Sequence, residues 1–127
     1  MTARSTLALG ACYGALGVAL GAFGAHALSG RLAPSDLAIY ETAVRYQMYH
    51  ALALVGLAAW SHLHPTVRLR WASRAFGIGV VVFSGSLFGL VLSGQRWLGA
   101  VTPFGGVLLI LGWLLVAVEG FTSSARS

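Results

Sequence analysis

Hydrophobic positions dominate this chain, and charged ones interrupt them only at intervals. Four stretches carry no Asp, Glu, Lys or Arg: 5–30, 46–67, 75–95 and 97–118. Each supplies the roughly 20 residues that an α-helix needs to cross a bilayer. The pattern predicts an all-α membrane protein, a four-transmembrane-helix bundle with helices at about 6–28, 44–62, 74–94 and 101–120, in one domain over 1–127. Helix punctuation falls between them. Ser29-Gly30 closes the first, Pro34-Ser35-Asp36 resembles a helix start, and Pro65 stops the second. Gln95-Arg96-Trp97 is a short turn, and Thr102-Pro103 fits an N-cap and first helical position. Residues 38–46 either lengthen the second helix or form an interfacial piece before it.

The first stretch has a finer pattern. Gly10, Gly14, Gly17, Gly21 and Gly24 recur at 4, 3, 4, 3 spacing, which places them within about 80° of one another on a helix. A side without side chains admits a second backbone closely, which is how helices associate in lipid. Leu9, Tyr13, Leu16, Leu20 and Phe23 form a bulky flank, expected to meet lipid. Ala8, Ala15, Ala19 and Ala22 form a second small face, expected to meet another helix. Arg4, the apolar run and Ala25-His26-Ala27 imitate a signal peptide, but the run exceeds the about 7–15 residues of a secretory core, so the helix is expected to be retained. On the third helix Gly85, Gly89 and Ser93 repeat every fourth residue, a further close-approach edge.

Composition agrees. Apolar residues make up 57% and charged residues 9% of the chain, with a mean hydropathy of +0.81; so few charges could not cover a water-soluble surface. The eight basic residues are all Arg, scattered between apolar spans. That scatter points to membrane topology and not to nucleic acid, despite the net charge of +5. The lone Cys12 excludes an internal disulfide and a cysteine metal cluster. With four spans, Arg4, Arg68, Arg70, Arg74 and Arg126 share one side, while Arg31, Arg45 and Arg96 share the other. The positive-inside rule puts both termini in the cytoplasm. Arg68, Arg70 and Arg74 then set topology and meet lipid headgroups. Glu119 ends on their side, with Arg74 as its expected ion-pair partner, and Glu41 and Arg45 are spaced to pair along one helix face.

The polar residues suggest little chemistry. His26, Tyr46, Gln47, His50, Gln95 and Thr102 are expected to gather toward the non-cytoplasmic side, facing inward as polar groups at membrane depth do. Two histidines could ligate a metal or haem or relay a proton, but nothing completes a zinc site. Cross-helix hydrogen bonding is the expected use, with no metal and no cofactor. Ser84 and Ser86 flank Gly85 without a histidine at their depth, so they read as packing hydroxyls rather than nucleophiles.

Several pieces resemble, in order, the YgdD and transmembrane protein 256-like family of small multi-pass membrane proteins, a domain of unknown function. They are Gly21-Ala22-Phe23-Gly24-Ala25-His26, Tyr46-Gln47 with His50, Phe83-Ser84-Gly85-Ser86-Leu87, Thr102-Pro103 with Gly105-Gly106, and Gly112-Trp113. The resemblance implies a multi-pass protein, in bacteria of the inner (plasma) membrane, with no established reaction, ligand or cofactor. It singles out His26, Gln47 and His50. The function expected is non-enzymatic: a structural or accessory partner in the lipid bilayer, as a homo-oligomer or with another membrane protein. The alternative is a subunit of an oligomeric transporter or channel, for small molecules or linked to protons.

Overall fold

The structure of the protein, a computed structural model, describes residues 1–124. Those residues form α1 (Ala3–Phe23), which runs on as a π-helical turn over Gly24–Leu28, α2 (Pro34–Leu63), α3 (Val67–Ser93), a 3-10 turn over Arg96–Ala100, and α4 (Thr102–Ser124). Thr2 caps α1 in reciprocal bonds with Ser5, and the Thr66 hydroxyl caps α3. Pro34 opens α2, where its missing N–H costs nothing. Gly94 ends α3 at φ 74°, a left-handed conformation that favours glycine.

Two helices start earlier than the charge pattern suggests. α2 begins at Pro34 rather than near 44, so residues 38–46 lengthen it. α3 begins at Val67 rather than near 74, so Arg68, Arg70 and Arg74 lie on a helix and not in a connection. Charge does not interrupt a helix; Pro65 and the Thr66 cap do.

Three segments are long and apolar enough to cross a membrane on composition alone: Ala3–Leu28, Val67–Ser93 and Arg96–Ser123. α2 is more polar, but its 30 residues rise about 45 Å, and it runs antiparallel along the whole of α1. Gly10 faces Leu54 and Val55, Gly14 faces Ala51, Gly17 faces Met48, Gly21 faces Val44 and Gly24 faces Tyr40. Where α1 crosses, α2 must cross back. α3 lies antiparallel to α2, with Tyr40 on Phe88, Tyr46 on Phe83 and His50 on Phe76. α4 lies antiparallel to α3, with Gly105 on Phe83 and Gly112 on Phe76. The result is an up-down-up-down bundle. α2 and α3 are the central pair and hold most of the buried side chains, including Tyr40, Leu54, Leu69 and Phe76. α1 seats on α2, and α4 seats on α3.

The glycine side of α1 therefore packs, but the other packing expectations need correction. Leu9, Tyr13 and Leu20 pack against the core instead of meeting lipid, because α3 lies beside α2 and takes that flank. Leu16 and Phe23 stay exposed, and so do Ala8, Ala15, Ala19 and Ala22. Gly85 and Ser93 are also exposed, and only Gly89 is tight, against Leu98 of the 3-10 turn. The close approaches of α3 and α4 use Gly79, Gly105 and Gly112 instead.

The seam between α1 and α2 separates two neighbouring glycines. A Cβ on Gly10 would lie 2.9 Å from the Ala51 carbonyl oxygen and 3.0 Å from the Leu54 Cβ, whereas one on Gly14 would meet the Ala51 Cβ at 3.9 Å, an ordinary contact. Gly10→Ala is expected to cost about 1–3 kcal/mol through overpacking. Gly14→Ala is expected to be neutral or to gain up to ~1 kcal/mol from helix propensity. Unfolding in mixed micelles, followed by circular dichroism, measures both; equal effects would rule out the close approach at Gly10.

Candidate functional site

Most of the interior polar groups lie along the central pair, and several bond to neighbouring helices. The Gln47 amide donates to the Tyr13 carbonyl at 2.9 Å, and the Tyr13 hydroxyl donates to the Gly77 carbonyl at 2.7 Å. Tyr13 thus ties α1 to both central helices. The Tyr40 hydroxyl donates to the Leu20 carbonyl at 2.6 Å, just before the π-helical turn. Ser84, fully buried, donates to the Ala43 carbonyl at 2.7 Å and joins α3 to α2. Ser86 and Thr102 share a bond of 2.6 Å between α3 and α4. The Thr102 hydroxyl, expected as an N-cap, is used in this cross-helix bond.

His50 is the most constrained of these groups. Its Nε2 lies 3.0 Å from the indole nitrogen of Trp113, and its Nδ1 lies 2.7 Å from the Tyr46 carbonyl. An indole N–H only donates, so Nε2 accepts; a carbonyl only accepts, so Nδ1 carries the hydrogen. The ring is a neutral imidazole with both nitrogens engaged. Phe76 of α3 packs against both partners, with ring centroids 5.2 Å from His50 and 5.0 Å from Trp113. One residue from each of α2, α3 and α4 meets here. In this state no lone pair remains for a metal or haem iron, and Nε2 can take a proton only by giving up Trp113.

The six residues expected to cluster do not. Tyr46, Gln47 and His50 are together, midway along α2 instead of toward one end, because α2 starts at Pro34. Gln47 and His50 are buried as expected, but Tyr46 is exposed, with its ring against Phe83 on the outside of the α2–α3 pair. His26 is exposed on the π-helical turn. Gly14 is level with Ala51 and Gly24 with Tyr40, so His26 lies about 17 Å along the axis from His50. The two histidines cannot share a ligand. Gln95 is exposed where α3 gives way to the 3-10 turn, and Thr102 belongs to the separate bond with Ser86. The polar pattern of the sequence does not place Tyr13, Tyr40 and Trp113 in the set. A tyrosine and a tryptophan well inside apolar spans, away from the headgroup levels they prefer, were the available signal.

At the end that holds Arg4 and the 64–66 connection, Glu119 is buried and pairs with Arg68 at 3.4 Å, not with Arg74. Ser123 donates to its other oxygen at 3.1 Å. Arg68 is in the first turn of α3 beside the last turns of α4. Arg74 lies further along α3 and stacks on Trp71. At the opposite end Arg96 forms a bidentate pair with Asp36, at 2.9 and 3.2 Å. Glu41 and Arg45 are both exposed and form no ion pair with each other. Arg126 lies outside the described residues.

Comparison with known proteins gives a family but no activity. A family model described as a protein of unknown function, DUF423, matches residues 20–106. A UPF0382 membrane protein of Staphylococcus haemolyticus is 44% identical over 113 residues, 89% of this chain and 92% of the relative. The UPF0382 inner membrane protein YgdD of Escherichia coli K12 is 42% identical over 118 residues, 93% of this chain and 90% of the relative. No solved structure matches.

The bond between His50 and Trp113 can be weighed by a double-mutant cycle. Trp113→Phe keeps a ring but leaves Nε2 without a donor, an expected loss of about 1–2 kcal/mol on the scale of an orphaned interior group. In a His50→Leu background the same change should cost less, by a coupling of roughly 0.6–1.7 kcal/mol. Equal costs in both backgrounds would remove the bond from the account, and zinc that raises the melting temperature would contradict the engaged ring.

Proposed function

The chain belongs to the DUF423 (UPF0382) family of membrane proteins, and from that premise we propose that it is a non-enzymatic accessory or structural partner within the bilayer. Its membrane is the bacterial inner membrane, after the name of the Escherichia coli relative. The observation that supports this reading is the engagement of His50. The histidine best placed for interior chemistry has both nitrogens engaged, Nε2 in the bond that joins α4 to α2 and Nδ1 with a carbonyl of its own helix, and Gln47, Tyr13 and Ser84 donate to backbone carbonyls of their neighbours. The outward faces suit company in the membrane. α4 presents Phe104, Val107, Ile110, Leu114 and Phe121, and α1 presents its alanines. Lipid, a second copy or another membrane protein could cover them.

A second reading, a subunit of an oligomeric transporter or channel, draws on one feature. A groove of about 200 Å³ between α1 and α3 has Gln47 and Ser84 on its floor. Sealed by another subunit, it would be a polar-floored passage. The two readings separate by experiment. The accessory role predicts a stable partner in mild-detergent pull-downs and no flux of protons or small solutes into proteoliposomes. Flux that disappears in Gln47→Leu, with the fold intact, would overturn it.

The orientation proposed places both termini in the cytoplasm. The end holding Arg4, Arg68, Arg70 and Arg74 has one acid, Glu119, whereas the end holding Arg31, Arg45 and Arg96 has Asp36 and Glu41. The bias of basic residues favours the first end as cytoplasmic. His64 and Pro65 are exposed in the connection at that end. A His64→Cys, Cys12→Ala variant should resist an impermeant maleimide added to intact cells and react after permeabilisation. Labelling from outside would reverse the orientation.

A further inference from the structure

Among the described residues, Arg74 is the one arginine that stands over an apolar trough without an acid to meet. Each of the three acids lies elsewhere: Asp36 pairs with Arg96, Glu119 pairs with Arg68, and Glu41 is at the opposite end of the bundle. The guanidinium lies over the Trp71 ring, 4.8 Å from its centroid. α3 starts at this end, and helix side chains lean toward the helix N-terminus. Arg74 therefore reaches back along Trp71 toward the headgroup level, the way long basic side chains keep their charge out of hydrocarbon.

Below it, α3 and α4 do not close against each other on the outside. They leave a groove of about 340 Å³ whose walls are Ala75, Ile78, Leu108, Leu111 and Leu115, with Trp71, Arg74 and Arg68 at its mouth. The groove is apolar along its length and cationic at one end. The charge of Arg68 is offset by Glu119, so Arg74 supplies the net positive charge there. Trp71 covers one face of the guanidinium and holds it, while the N–H edge remains available for a bidentate contact with phosphate oxygens.

We propose that this groove is a binding site for one anionic phospholipid, with an acyl chain between α3 and α4 and the phosphate on Arg74. A chain in the trough and an anion at its mouth satisfy both halves of the site at once. A zwitterionic lipid would bring an ammonium group to the same mouth and lose part of the attraction. The inference does not depend on the accessory role, nor on which end of the bundle is cytoplasmic.

Native mass spectrometry of the detergent-purified protein tests it, with dioleoyl phosphatidylglycerol and dioleoyl phosphatidylcholine offered in equal amounts. The wild type should retain one phosphatidylglycerol in preference by about fivefold, the scale of one basic residue near a charged headgroup. Arg74→Gln should abolish that preference, Arg70→Gln should keep it, and Leu111→Trp, which fills the trough, should weaken both lipids. Phosphatidylglycerol with brominated chains should quench tryptophan emission more than brominated phosphatidylcholine does, and the excess should vanish in Trp71→Phe. Equal retention of the two lipids, or an unchanged preference in Arg74→Gln, overturns the site. Displacement of the lipid by inorganic phosphate also overturns it, in favour of a soluble anion.

Discussion

Inside a bilayer no water competes with a helix for its neighbours, so association rests on how closely backbones pack and on the hydrogen bonds that closeness allows. In this protein the approach of α1 to α2 is the contact on which the others depend. Glycines at three- and four-residue spacing leave the α1 backbone bare from Gly10 to Gly24, and Leu54, Ala51, Met48, Val44 and Tyr40 fill that side in antiparallel order. The register has consequences beyond the seam. It brings the Gln47 amide to the Tyr13 carbonyl and the Tyr40 hydroxyl to the Leu20 carbonyl. It also places His50 at the middle of the bundle, where Trp113 can reach it.

The bundle has an approximate symmetry of roles. α2 and α3 share the centre, and each outer helix rests on one of them while sending a side-chain bond to the other. Tyr13 of α1 donates to Gly77 of α3, and Trp113 of α4 donates to His50 of α2. Both bonds pass from an outer helix to the central helix on which it does not rest. Each end carries an ion pair that joins distant parts of the chain, Arg68 with Glu119 and Arg96 with Asp36. The arginines of both pairs are exposed. The Arg96–Asp36 pair lies largely in the open and contributes little stability, whereas Arg68 offsets the charge of a carboxylate that is buried; both fix where the helix ends meet. With these interior polar groups engaged, what the bundle leaves uncovered is chiefly apolar side chains on its outward faces.

Much of the fold was legible because the constraint behind it is simple. A crossing helix needs a long apolar run, and four uncharged runs marked four helices. The glycine seam was legible because close approach leaves a spacing that nothing else requires. What could not be read was which face of a helix meets which neighbour. Tyr13 and Leu20 look like lipid-facing bulk until α3 is known to lie beside α2, and Gly85 and Ser93 share a helical spacing but sit on an outer face. The depth of His50 was missed for a different reason. The sequence marks Pro34 and Pro65 but leaves open whether residues 38–46 belong to the second helix; because they do, α2 starts at Pro34 and Gln47 and His50 fall at its middle instead of near one end. The partners of Glu119 and His50 depend on the angle between helices, which composition does not encode.

The antiparallel seam between α1 and α2 can be tested in native membranes by one cross-link. A Cβ at position 14 lies 3.9 Å from the Cβ of Ala51, within the separation that a disulfide spans. In a Cys12→Ala background, Gly14→Cys and Ala51→Cys should oxidise to an intramolecular disulfide that protects both thiols from maleimide and is released by reductant. A pair that stays reduced under the same oxidant, or that links only separate chains, would contradict the seam and the arrangement built upon it.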